Sequence, residues 1–278
     1  MADAEATAVG LTVPADWREH RVGGLAWWTP AVPLAPGVRV VVTTRSGGIS
    51  APPRAGLNLA THVGDAPACV TANRLRLQQL LQLPAAPCWL QQVHGKQVFE
   101  PAAIVPDAGW PLPVADAACT RHGAVLAVLT ADCLPVVLAA ADGSAVAVAH
   151  AGWRGLAAGV LEASLAALRC APGAVTAWLG PAIGPRAFEV GDEVREVFVS
   201  GHEQAATAFV PNARGRWQAD LGLLAMQRLE AAGVTRVGGG GVCTVSDPTR
   251  WYSYRRDFVP GADTGRFVTL VWREHVTL

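Results

Sequence analysis

Charge is scarce in this chain. Only 16% of its 278 residues are Asp, Glu, Lys or Arg, and the signs cancel to a formal net charge of zero. No basic footprint for a nucleic acid or an anionic membrane surface stands out. Long apolar runs are missing as well: no stretch reaches the about 18 uninterrupted apolar residues of a spanning helix, so no membrane segment is expected. The opening residues, MADAEATAVGLTVPADWREH, have no basic start followed by an apolar block and do not read as a secretory leader. The six cysteines (Cys69, Cys88, Cys119, Cys133, Cys170 and Cys243) form no CxxC pair and no tight framework. Without a leader, free thiols in a reducing cytoplasm are the expectation.

What is present is apolar. Hydrophobic residues make up 51% of the chain, enough for a sizeable core, and the ten Trp should serve mainly as core or pocket walls. Residues 1–36 read as an irregular lead-in rich in Pro and Ala, with a short strand near Trp27-Trp28. Strands are expected at 38–44, 124–130, 134–140, 144–149, 175–179 and 267–273, with a strand–turn–strand over 89–99 and loops at 101–113 and 180–185. Helical periodicity marks 70–83 (Leu75, Leu80 and Leu81 near one face), 155–169, 192–199 and 221–232. There is no regular β-α alternation, no internal repeat and no linker long enough to divide the chain. Gly238–Gly241 reads as a flexible turn. The fold class is therefore α+β, a single domain over 37–278 with a mixed β-sheet flanked by helices.

The chemistry concentrates in Thr130–Gly155, TADCLPVVLAAADGSAVAVAHAGWRG. Asp142-Gly143 between two apolar runs is a hairpin signal. Folding there brings Cys133 and His150 nearly opposite each other, and directly opposed side chains have Cβ atoms about 4.5–5.5 Å apart. A thiol and an imidazole so placed can share a metal, act as nucleophile and base, or simply belong to the core, where buried Cys is common. Asp132 breaks an apolar segment and so needs a partner or a function. Neighbours on a strand point to opposite faces, so Asp132 needs a bulge to share the pocket of Cys133. Gly152-Trp153-Arg154-Gly155 is a helix entry whose glycines permit close approach of a ligand. His94, among polar residues between apolar strands, is the natural third member: two His and one Cys make a catalytic zinc set with one position open.

The blocks TTRSGG (43–48), LNLATHVGD (57–65), QQVHG (91–95), TADCLPV (130–136), HAGWRG (150–155), GPAIGP (180–185), FEVG (188–191), YSYRRD (252–257) and TGR (264–266) resemble the YfiH-like family, also called the laccase-domain or peptidoglycan editing factor family. The blocks run in the family's order over nearly the whole chain from about residue 38. Ala60 departs from the Gly that many members carry there. The resemblance implies a YfiH-like cysteine-hydrolase fold and a zinc site built from His94, Cys133 and His150. It also implies phosphorolysis of adenosine, inosine and methylthioadenosine, with adenosine deamination beside it. Some members are instead linked to editing of muropeptide precursors, and older labels say polyphenol oxidase.

Weighed against these chemistries, the residues divide as follows. For deamination, a zinc-activated water needs a carboxylate to relay protons, and Asp132 and Glu189 are the candidates. For phosphorolysis, Arg45 beside Gly47-Gly48 and Arg154 at a helix start are candidate phosphate clamps, with Asn58 and His62 as further candidate lining. Tyr254, Arg255, Arg256 and Asp257 are either an internal salt-bridge cluster or a substrate contact. The remaining cysteines read as inert core thiols, and His20, His122, His202 and His275 as structural or exposed. Copper is the alternative metal, but seven His without a His-x-His pair cannot build a multicopper cluster. A cysteine hydrolase with Cys133 as nucleophile and His150 as base is a further reading, and a non-catalytic metal- or partner-binding protein another. The expected partners are a purine nucleoside and phosphate, with no nucleic acid and no membrane, in the cytoplasm. Monomer and dimer both stay open.

Overall fold

The computed structural model describes residues 13–101 and 111–274. In chain order its strands are β1 (Trp17–Val22), β2 (Leu25–Pro30), β3 (Val38–Thr43), β4 (Pro87–Cys88), β5 (Val98–Phe99), β6 (Ala117–Thr120), β7 (Val125–Thr130), β8 (Leu134–Ala140), β9 (Val146–Ala151), β10 (Val175–Leu179), β11 (Glu189–Val190), β12 (Phe209–Pro211), β13 (Trp217–Ala219), β14 (Arg236–Gly239) and β15 (Phe267–Arg273). The helices are α1 (Pro67–Leu80), α2 (Trp153–Ala158), α3 (Val160–Leu168), α4 (Asp192–Val199), α5 (Leu221–Ala231) and the short α6 (Tyr254–Asp257).

Two six-stranded sheets carry the fold, ordered β1-β2-β3-β15-β7-β4 and β14-β10-β8-β9-β6-β5, with a small β11-β13-β12 sheet beside them. Most pairings are antiparallel, while β4–β7, β5–β6 and β10–β14 are parallel. The sheets pack face to face. Val40, Val42, Leu126, Val128 and Val271 of the first meet Val137, Ala139, Val146, Val148 and Trp178 of the second. The alternate residues bury the outer faces. Val125, Ala127 and Leu270 pack toward Leu77 of α1 and toward Leu57 and Leu59 of the loop before it. Val136, Leu138, Ala147 and Ala149 pack toward Leu161, Leu165, Leu224 and Leu229 of α3 and α5. Strands covered on both sides carry no polar face. For that reason VLAVLT and LPVVLAA read as unbroken apolar runs.

The α+β class with mixed sheets and flanking helices holds, and several details differ from expectation. The short strand expected near Trp27-Trp28 is β2, but the residues before it are not irregular: β1 pairs with β2 in a hairpin that continues the first sheet through β3. The helix expected over 155–169 is two, because Gly159 at φ 94° takes the left-handed conformation between α2 and α3. On α1, Leu75 faces solvent and the buried face is Val70, Asn73 and Leu77. Asn73 sets that face, since its amide donates to the Ser50 hydroxyl and to the Asn58 and Gly56 carbonyls and accepts from Ile49 N–H. The expected strand–turn–strand over 89–99 is mostly loop between β4 and β5, which lie in different sheets. Gly239, Gly240 and Gly241, at φ 78°, 74° and 70°, end β14 in a left-handed turn. Part of the loop expected at 101–113, and His275, lie outside the described residues.

Candidate metal centre

The site forms where the chain leaves one sheet for the other. β7 ends at Thr130 in the first sheet and β8 begins at Leu134 in the second, so Ala131, Asp132 and Cys133 make the crossing. Asp132 sits at φ 93°, a conformation that a non-glycine residue keeps only where its surroundings over-determine it. Its carboxylate accepts from the Thr244 hydroxyl at 2.5 Å, the Ser253 hydroxyl at 3.0 Å and the Arg255 N–H at 2.6 Å. Its carbonyl accepts from Ile183 N–H at 2.9 Å. This left-handed turn does what a bulge was expected to do, and Asp132 and Cys133 line the same cavity.

His150 arrives late in β9. The hairpin turn closes with Gly143 N–H donating to the Ala140 carbonyl at 2.8 Å, and the register sets His150 opposite Pro135 and Ala151 opposite Leu134. Cys133 is thus the diagonal neighbour of His150 on the same face. His94 comes from the loop between β4 and β5, itself left-handed at φ 60°. The N–H groups of Val93, His94 and Gly95 all donate to the buried carboxylate of Asp116, which also accepts from His150 Nδ1 at 2.8 Å.

One donor atom from each of His94, Cys133 and His150 lies within 4.8 Å of the others, and Cys133 Sγ is 3.8 Å from His94 Nε2. His150 is buried, Cys133 half-buried and His94 exposed toward the cavity. Burial pushes the Cys133 thiol up, but His150 and then His94 outweigh it and hold it well below the ordinary thiol range. Burial also opposes charge on His150, and the Cys133 sulfur and Asp116 carboxylate overcome that and raise it. Burial likewise works against the Asp116 carboxylate, which His150 and the Gly95 and Val93 N–H groups hold below its usual range. A thiolate and two imidazoles, one of them oriented by a carboxylate, fit the donor set of a three-ligand zinc centre.

Gly152, the cap before α2, makes the close approach possible: a Cβ there would stand 2.9 Å from Cys133 Sγ and 3.0 Å from His94 Cδ2. The cavity beside the triad measures about 470 Å³, and its walls include His62, Gln92, Trp153, Arg154, Phe188, Tyr254, Arg255 and Arg266. A second cavity of about 430 Å³ lies behind the loop bearing Ile183, against Gly238–Gly241, and holds none of the triad.

The other expected site residues divide. Arg154 and His62 line the cavity. Arg45 does not: its guanidinium donates to the Ala55 and Pro248 carbonyls and covers the Tyr252 ring at 4.6 Å. Its neighbouring glycines serve backbone packing, since a Cβ at Gly47 or Gly48 would come within 2.5 Å of the Gly24 or Gly56 backbone. Asn58 is buried, bonded to the Ala60 backbone, Asp65 and Arg266 N–H. Glu189 is not brought to the triad; its carboxylate takes Asn212 at 2.7 Å and Arg214. The Tyr254–Asp257 group splits: Arg256 pairs with Asp257 at 2.6 Å, while Tyr254 and Arg255 face the cavity. Asp116 escaped the sequence reading. The available signal was a lone Asp in the apolar stretch VADAACT, the same signal that singled out Asp132. Burial pushes the Cys88 and Cys119 thiols up to about 11, as suits core residues.

The geometry defines an α+β protein with a histidine–cysteine–histidine centre at the crossing between two packed sheets. A family model described as "Multi-copper polyphenol oxidoreductase laccase" matches residues 39–274, and the chain belongs to this family of YfiH-like, laccase-domain proteins. A protein of Pseudomonas aeruginosa named purine nucleoside phosphorylase is 51% identical over 89% of this chain and 98% of its own length. Purine nucleoside phosphorylase YfiH of Escherichia coli is 45% identical over 87% of this chain and 97% of its own. The crystal structure of a Neisseria meningitidis protein of the DUF152 family superposes with a TM-score of 0.82 at 44% identity, covering 89% of this chain and 99% of that one. No helix among the described residues is long and apolar enough to cross a membrane.

Proposed function

We propose that the chain is a zinc-dependent purine nucleoside phosphorylase, converting adenosine, inosine or methylthioadenosine and inorganic phosphate to the free base and the corresponding ribose 1-phosphate. The observation that carries this reading is the convergence of His94, Cys133 and His150 on a cavity that also presents Arg154, Arg255 and Arg266. The names of the Pseudomonas and Escherichia relatives support it.

In phosphorolysis a phosphate oxygen bonds to C1′ as the C1′–N9 bond breaks, and the purine leaves with the electron pair and takes up a proton. Arg154, exposed on the cavity wall with its guanidinium 4.3 Å over the Trp153 ring, offers fixed positive charge to the phosphate. Phe188 and Tyr254 offer aromatic faces to the base. His62 lines the same cavity, and burial, then Arg266, hold its pKa below the ordinary histidine value. A neutral imidazole there has one nitrogen to donate and one to accept. Zinc held by His94, Cys133 and His150 supplies Lewis acidity toward an oxygen in the cavity; copper suits the same donors as the alternative.

Adenosine deamination is the second activity assigned to this cavity. Asp132 is the carboxylate on its wall, but its oxygens already take three hydrogen bonds. Its part is to hold Cys133 and α6 in place, and the proton-carrying role falls to His62. Multicopper oxidation does not suit the chain: among the described residues there is one three-donor cluster. The test is product analysis of zinc-loaded protein with adenosine or inosine plus phosphate. Ribose 1-phosphate with free base supports the reading, and neither ribose 1-phosphate nor inosine from adenosine would sink it.

A second reading has its own observation. Cys133, His150 and Asp116 stand in the thiolate–imidazole–carboxylate order of a cysteine hydrolase, which would act on an amide such as that of a muropeptide precursor. Metal-independent hydrolysis abolished by alkylation of Cys133 favours it, and activity with zinc alone removes it.

A further inference from the structure

We infer that Asp116 is the positioning residue of the metal centre, one buried carboxylate that fixes both the tautomer of His150 and the loop bearing His94. The inference rests on the metal-site reading above. Asp116 lies just before β6 and is fully buried. Its two oxygens take four N–H groups. Oδ1 accepts from His150 Nδ1 and His94 N, each at 2.8 Å, and Oδ2 accepts from Gly95 N at 2.7 Å and Val93 N at 3.1 Å. Its backbone carbonyl accepts from His150 N at 2.7 Å, tying the start of β6 to the end of β9.

Donors surround both oxygens, so Asp116 acts as an acceptor only. Nδ1 of His150 must then carry its hydrogen, which leaves Nε2 as the ligand atom. The three N–H groups from 93–95 converge on the same carboxylate, and that convergence holds His94 in its left-handed conformation at φ 60°. The two histidines come from separate segments, and Asp116 is the one carboxylate among the described residues that hydrogen-bonds both.

Asparagine has the shape of aspartate but offers one acceptor and one donor group in place of two acceptors. With its amide nitrogen toward Val93 and Gly95, it meets two N–H donors and displaces the His94 loop. Turned the other way, it faces His94 N–H and His150, and forces the His150 hydrogen onto the ligand nitrogen. Either orientation spoils one histidine ligand.

The first test uses the unaltered protein. Histidine ¹⁵N NMR should find Nδ1 of His150 protonated in both the metal-free and the zinc-loaded protein, and a bare Nδ1 overturns the inference. The second compares zinc affinity, by competition with a chromophoric chelator, among the unaltered protein, Asp116→Asn and Asp247→Asn, the last a buried carboxylate outside the cavity. Asp116→Asn should bind zinc about 10–100-fold more weakly, while Asp247→Asn binds as the unaltered protein does. Folded Asp116→Asn binding zinc as tightly as the unaltered protein overturns the inference. If that variant does not fold, the NMR result on the unaltered protein decides. Failure of the unaltered protein to bind zinc removes the metal reading and this inference together, an outcome distinct from tight binding by both.

Discussion

Cys133 Sγ stands 3.8 Å from His94 Nε2 across 39 residues of chain, each residue lying in the segment that follows one of the paired strands β4 and β7. The contact exists because Asp132 turns left-handed at the sheet crossing, because the Asp116 carboxylate gathers the 93–95 loop, and because residue 152 has no side chain. Each of these conditions can be altered separately.

Gly152→Ala is the least invasive change. Gly152 has φ −61° and ψ 157°, which alanine adopts freely, yet its Cβ would press on Cys133 Sγ and His94 Cδ2. Zinc per chain, measured by elemental analysis, should fall sharply, while thermal unfolding monitored by circular dichroism moves by a few degrees at most. Full zinc occupancy would show that the three donors do not need this close approach.

Removing a donor should cost more in catalysis than in folding. Cys133→Ser, or Ala at His94, is expected to lower kcat/KM for phosphorolysis at least about a hundredfold, equivalent to about 3 kcal/mol of transition-state stabilisation. Steady-state kinetics at saturating phosphate checks this, and near-normal turnover by either variant would remove the triad from the reaction.

Reactivity of the metal-free protein should distinguish Cys133 from the other thiols. His150 and His94 hold its pKa low against burial, so the sulfur is ionised at neutral pH, whereas Cys88 and Cys119 are pushed up to about 11 and stay protonated. Alkylation at neutral pH, followed by peptide mapping, should label Cys133 ahead of those two, and zinc should block it. The sign for stability follows from both partners. A lowered thiol pKa contributes stability that is lost as pH falls through the folded value; the raised His150 pKa contributes stability that is lost as pH rises through its folded value. The metal-free protein should therefore be less stable on either side of that window.

Two arginines that look alike in sequence should behave differently. Arg154→Ala is expected to raise the KM for phosphate with little change in melting temperature. Arg45→Ala should lower the melting temperature and leave the KM for phosphate alone, because Arg45 serves the Ala55 and Pro248 carbonyls and the Tyr252 ring. The opposite pattern would move the phosphate site to the Gly47-Gly48 loop.

Asp132→Ala leaves the Thr244 and Ser253 hydroxyls and the Arg255 N–H without their acceptor and puts alanine at φ 93°. A loss of about 2–4 kcal/mol in unfolding free energy is expected from denaturant titration. Unchanged stability together with lost deamination would instead mark Asp132 as the proton carrier.

Much of this was legible in the chain itself. The turn at Asp142-Gly143 and the apolar runs beside it place Cys133 near His150, and the strand at Val175–Leu179 and helix at Asp192–Val199 lie where periodicity puts them. Asp116 shows in sequence only as a lone Asp in an apolar stretch; its role does not, because four donors from two distant segments give it meaning only once the sheets have formed. The division into two sheets was hidden for a related reason: a strand buried on both faces has no polar side to show which neighbour it meets. Arg45 misled because glycines that let backbones touch look in sequence like glycines that let a phosphate approach.

The products formed from inosine and inorganic phosphate by zinc-loaded protein, compared with those of the same preparation stripped of metal, test whether the triad's metal drives phosphorolysis. Hypoxanthine and ribose 1-phosphate in equal amounts, formed with zinc and lost on stripping, are the predicted result. Absence of ribose 1-phosphate from fully zinc-loaded, folded protein, or equal turnover after the metal is removed, would contradict it.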